Sequence, residues 1–98
     1  MSDSLSYQQC RDLKAEADQL KLDRKYAEAA PLYKQAYELC NDTYAASRYL
    51  HCVRKLSVQE ARQAVPLARK LISQFPDNIY VQREGIWTIY DAFLKTLN

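Results

Sequence analysis

Asp23 to Cys40 reads DRKYAEAAPLYKQAYELC, and this stretch decides the fold. Tyr26, Ala29, Tyr33, Ala36 and then Leu39 or Cys40 recur at steps of three and four residues. That period places them on one face of an α-helix, predicted from about 25 to 40. Ala29 and Ala36 are small, so a neighbouring helix axis can approach closely while the tyrosines fill the space beside them. Pro31 lies inside the pattern. It removes one backbone donor, and strong helix formers behind it predict a mild kink and not a stop.

Upstream, Leu13, Ala17 and Leu20 form a second stripe that Cys10 extends backward. Ser6 and Gln9 have capping-box spacing, so a helix is predicted over 7–22 with Lys14, Asp18 and Lys21 facing water. Asp23, Arg24 and Lys25 are the predicted turn between the two. Downstream, Asn41, Asp42 and Thr43 break the pattern and offer a cap. A helix over 44–56 follows, with Ala46, Tyr49, Leu50, Val53 and Leu56 inward. Ser57 to Glu60 is a second capping box and opens a helix over 58–75, which Pro76 ends. Its apolar face runs from Ala61 to Phe75. Asp77 or Asn78 caps the last helix, 78–96, whose apolar set is Ile79, Ile86, Trp87, Ile89, Tyr90, Phe93, Leu94 and Leu97. Gly85 in its middle costs about 1 kcal/mol against Ala, which a close contact with a neighbouring helix would offset.

The second and fourth helices match when shifted by 35 residues: Ala29 meets Ala64, Pro31 meets Pro66, Leu32 meets Leu67 and Cys40 meets Phe75. A helical hairpin repeated at this period is the signature of a solenoid. The pattern resembles the tetratricopeptide repeat (TPR) family. Tyr26, Ala29, Tyr33 and Ala36 fall on the aromatic and small places of that family's second helix, and Leu13, Ala17 and Leu20 on the places of its first. The second repeat is looser, with His51–Cys52, Ala64, Ala68 and Pro76 near the corresponding places and one extra residue. The resemblance implies an all-α fold of five helices, antiparallel hairpins stacked as a short right-handed solenoid in a single domain. It also implies a concave face that receives a peptide. In the chaperone-binding subgroup a carboxylate clamp grips the partner's C-terminus. Lys14 and Arg83 fall on clamp places, whereas Asp18, Tyr49 and Ile79 depart from them, so that specific ligand is not expected.

The composition fits one small globular domain: 98 residues, 27% charged, and a single Gly that leaves no Gly-rich phosphate cradle. There is no apolar run long enough to span a membrane and no secretory leader pattern, so the expected location is cytoplasmic. Cys10, Cys40 and Cys52 are odd in number and far apart. They are expected as small core thiols, without a metal. His51 and Cys52 are adjacent and point apart on a helix, which argues against a nucleophile–base pair. No enzyme activity and no cofactor are expected.

Charge is uneven. Residues 48–70 carry Arg48, Arg54, Lys55, Arg62, Arg69 and Lys70 against Glu60 alone, while residues 1–47 are net acidic. The expected function is protein–protein interaction or scaffolding through a peptide or helix of a partner. Groove candidates are Lys14, Arg48, Tyr49, Lys55 and Arg83. A second surface is the last helix, with Trp87, Tyr90, Phe93 and Leu94 as interface candidates and self-association as a further expectation. Two alternatives remain: a nucleic-acid-associated domain using Arg54, Arg62, Arg69 and Lys70, and the recruitment domain of a longer enzyme.

Overall fold

The computed structural model describes residues 2–94, and for residues 2–4 the backbone alone. Five α-helices follow one another: α1 (Ser2–Leu22), α2 (Tyr26–Cys40), α3 (Thr43–Leu56), α4 (Val58–Gln74) and α5 (Ile79–Ile89), with a π-helical turn, Tyr90–Leu94, closing α5. No strand occurs among the described residues. Short connections fold each helix back on its predecessor, and α5 packs on both α3 and α4.

Most boundaries have visible causes. Arg24 and Asn41 take left-handed backbone conformations, φ 60° and 53°, and end α1 and α2. The Asp42 side chain accepts from Ala45 N at 3.0 Å and starts α3. Ser57 accepts from Glu60 N at 3.1 Å and starts α4. Asn78, rather than Asp77, caps α5, accepting from Tyr80 N and Val81 N. One boundary differs from expectation. α1 already begins at Ser2, so the Ser6–Gln9 spacing lies inside a helix and caps nothing. The end of the last helix, with Leu97, lies outside the described residues.

Pro31 and Pro66 both sit inside continuous helices and both are exposed. The residues four before them, Ala27 and Arg62, whose carbonyls lose the usual donor, are exposed too.

The core is made largely of alanine. Ala17, Ala29, Ala36, Ala45, Ala46 and Ala68 are fully buried, and the largest fully buried side chains are Tyr33, Leu50, Leu71 and Val81. Alanine faces bring helix axes close but bury little area each, so stability leans on covalent and polar ties between helices. The first is a disulfide between Cys10 and Cys40, which overturns the expectation of free thiols at those positions. Cys52 alone is free; it is buried, and burial pushes its thiol up to about 11. Lys14 and Asp18, expected in water, are half-buried: Lys14 pairs with Asp42 at 2.6 Å, and Asp18 accepts from the hydroxyls of Tyr33 and Tyr44.

α5 is turned inside out relative to its hydrophobicity. Its inward face is Val81, Glu84, Gly85, Thr88 and Asp91, while Ile79, Ile86, Trp87, Tyr90, Phe93 and Leu94 are exposed. Gly85 explains part of this. A Cβ there would stand 2.8 Å from Ile72 Cγ1, so α5 and α4 touch at a distance that leaves no room for a side chain. Gln82 adds a polar tie by donating to Ile72 O and Phe75 O at the end of α4.

Candidate interaction surfaces

Three surfaces stand out, two of them built from groups singled out in the sequence. The first lies between α3 and α5. Tyr44, Ser47 and Arg48 from α3 meet Asn78 and Tyr80 from the start of α5 around a recess of about 310 Å³. Cations stack over both tyrosines: Arg48 lies 5.2 Å and Lys14 6.0 Å from the Tyr44 ring centroid, and Arg83 lies 5.4 Å from that of Tyr80. The Nε atom of Arg48 is buried without a hydrogen-bond partner. Burial and the Asp18 hydrogen bond raise the Tyr44 hydroxyl above its ordinary range, with Arg48 acting against them. Lys14, Arg48 and Arg83 are thus brought into one row. Tyr49 is not. It is half-buried on another side, with Tyr37 of α2 and Gln63 and Leu67 of α4. Lys55 is exposed near the end of α3.

The basic group of residues 48–70 is partly dispersed. Arg54 does not join a solvent patch. Its guanidinium donates to Glu84 at 2.7 Å and to Asp91 at 3.2 Å, and all three side chains are mostly buried. His51 Nδ1 stands 3.7 Å from the same Glu84 carboxylate. Burial alone would raise the Glu84 carboxyl, but the nearby His51 imidazole and the Arg54 guanidinium bonded to it hold it down at about 2. Arg62 donates from Nε to the Ala92 carbonyl at 2.9 Å, in the π-turn. A π-helical turn shifts the backbone bonding pattern, and a side-chain donor from α4 meets it there. Arg69 and Lys70 are exposed. Among the described residues, no cluster of His, Cys, Asp and Glu is placed to hold a metal ion, and no helix is long and apolar enough to cross a membrane.

The second surface is the outer face of α5 and the π-turn. Ile86 is 58% and Trp87 46% exposed, and Trp87 makes an edge contact with Tyr90, ring centroids 5.4 Å apart. With Ile79, Phe93 and Leu94 they form an apolar stripe along the whole element. Half-exposed aromatics at this density exceed the scattered apolar groups of an ordinary surface.

The third surface was not among the interaction surfaces expected from the sequence. A groove of about 650 Å³ runs between α1 and α2, lined by Leu13 and Leu39 and by the carboxylates of Asp12, Glu16 and Glu38. No Lys or Arg lines it. Asp12 accepts from Gln8 Nε2 at 3.0 Å. The signal that was available is the i, i+4 pair Asp12–Glu16 on α1, which becomes a groove wall only once α2 is laid beside it.

Comparison with protein-family models, with curated proteins and with solved structures finds no match for this chain.

Proposed function

We propose that this chain is a protein-interaction module, built as a TPR-like array of helical hairpins, that docks a helix or peptide of a partner protein. The carrying observation is the inverted α5. A helix that turns Glu84, Thr88 and Asp91 inward and Ile86, Trp87, Tyr90 and Phe93 outward presents its apolar groups to something else. Burying one large apolar side chain gains about 1.5–3 kcal/mol, so this stripe is a strong driving force for association. The stacking reading is supported by the packing of α5 on both helices of the hairpin before it, and by the matched Ala-x-Pro-Leu in α2 and α4. α5 then stands as the first helix of a third hairpin, with its outer face open to a partner helix. The row Lys14, Tyr44, Arg48, Tyr80 and Arg83 suits an acidic or aromatic group beside it. The role is recognition, without bond chemistry. A nucleic-acid role is the weaker reading, because Arg54 is spent on Glu84 and Asp91 and Arg62 on a backbone carbonyl.

The test is co-purification with the tagged chain from its native cell, with and without nuclease, beside the variant Ile86→Glu/Trp87→Glu. A stoichiometric protein that survives nuclease and is lost with the variant is expected. Partners that vanish with nuclease, and are retained by the variant, would overturn the proposal.

A further inference from the structure

We infer that the acidic groove between α1 and α2 receives the α5 stripe of a second copy of this chain, so that copies stack head to tail. The inference rests on the α5 reading above and names the occupant of that face.

Two unfilled surfaces stand on helices that make no extensive contact with each other. Contacts pass from α1 to α2, from α2 to α3, and from α3 to α4 and α5. The molecule is elongated, 50 × 30 × 19 Å. One surface is a ridge and the other a groove between two helices. Within the chain α5 already sits against the α3/α4 pair. Docking its outer side against the α1/α2 pair of the next copy repeats the same kind of packing, with ridges entering grooves.

The charges agree. The stripe is flanked near its start by Arg83, which stacks on Tyr80, stands 3.9 Å from Glu84 and remains about half exposed. The acidic groups close to it are spent inward: Glu84 and Asp91 both accept from Arg54. The groove offers apolar Leu13 and Leu39 beside Asp12, Glu16 and Glu38. An apolar stripe with an arginine near its start thus meets an apolar groove with carboxylates at its edges.

The area is adequate for a reversible contact. Aromatic side chains present about 150–250 Å² each when free. Six large apolar residues near half exposure therefore offer roughly 500 Å². A contact of this size lies at the weak, reversible end of interfaces. Because ridge and groove are different surfaces, the contact is heterologous and does not close on itself.

The experiment is sedimentation velocity on the oxidised chain over about a hundredfold range of concentration, with two variants whose folding is checked by circular dichroism. The groove variant is Asp12→Lys/Glu16→Lys/Glu38→Lys, and the helix variant is Ile86→Glu/Trp87→Glu. All five positions are exposed. The wild type is expected to grow in mass with concentration, and to do so less at high salt. Each variant alone is expected to stay monomeric. Mixed, they should form a one-to-one dimer that grows no further, because one contributes an intact stripe and the other an intact groove. A wild type that stays monomeric overturns the inference, as does a groove variant that still dimerises through α5, or a mixture that stays monomeric. If the wild type is monomeric while the helix variant still loses a co-purified partner, the α5 reading stands and the self-stacking falls. If both assays are blank, both fall.

Discussion

Breaking the Cys10–Cys40 bridge should lower stability sharply without changing the fold. The two positions are 30 residues apart in sequence. Cross-linking a loop of that length removes chain entropy from the unfolded state worth about 3.5 kcal/mol at 25 °C. For a domain of this size each kcal/mol moves the melting midpoint by about 5 °C, so reduction should lower it by roughly 17 °C. The folded hairpin should survive, because both sulfurs have carbonyl oxygens near them: Ala36 O is 3.6 Å from Cys10 and Ser6 O is 3.4 Å from Cys40. The reduced thiols can donate there. The assay is a thermal melt followed by circular dichroism, with and without a phosphine reductant, beside Cys10→Ala/Cys40→Ala as a reductant-insensitive control. Thiol titration in denaturant should find one reactive group, Cys52, before reduction and three after. A shift below about 5 °C, against the loop-entropy magnitude, would refute the reasoning, and so would three reactive thiols in the unreduced chain. Disulfides persist in oxidising compartments, so the same titration on protein taken directly from its cell tests the cytoplasmic expectation.

Other outcomes follow from single residues. Glu84 is held at about 2 against an ordinary 4.5, so its contribution is complete above pH 4.5 and is lost as pH falls toward 2. The difference amounts to about 3 kcal/mol; denaturant melts from pH 6 to pH 2 should show it, and Glu84→Gln should flatten that portion of the curve. Arg54→Ala leaves two buried carboxylates without their cation and should cost about 3–5 kcal/mol in a urea melt at pH 7. Gly85→Ala would gain about 1 kcal/mol on an open helix, but the Ile72 contact at 2.8 Å reverses the sign; a net loss of about 1 kcal/mol is expected, and measured within an Ile72→Ala background the same substitution should no longer destabilise. Ser57→Ala removes the α4 cap and should cost about 1 kcal/mol by the same measurement.

The helices were legible where side-chain period and caps agreed. Ala29, Tyr33 and Ala36 are buried as their spacing requires, and Asp42, Ser57 and Asn78 cap the helices they precede. The disulfide was missed because the cysteines were weighed by distance along the chain. Laid out from the turn at residues 23–25, Cys10 and Cys40 lie nearly equally far on either side, and a hairpin brings such positions together. The inner face of α5 went unread because only its apolar residues were followed. Its true inner face is marked by small and polar groups in register, Val81, Glu84, Gly85, Thr88 and Asp91. Arg54, the single cation that satisfies two of them, was assigned to a surface patch because a charge run gives no sign of which member turns inward.

The Arg54 contact also fixes position. A helix seated only on oily side chains can slip by a turn, since one leucine serves nearly as well as the next. α5 has no such freedom, because its two carboxylates are seven residues apart and grip a single guanidinium. Any slip leaves a charge stranded without solvent. The joint therefore acts as a keyed shaft: α5 is seated at one setting or not seated, and whatever pulls on its outer stripe pulls on α3 through the key.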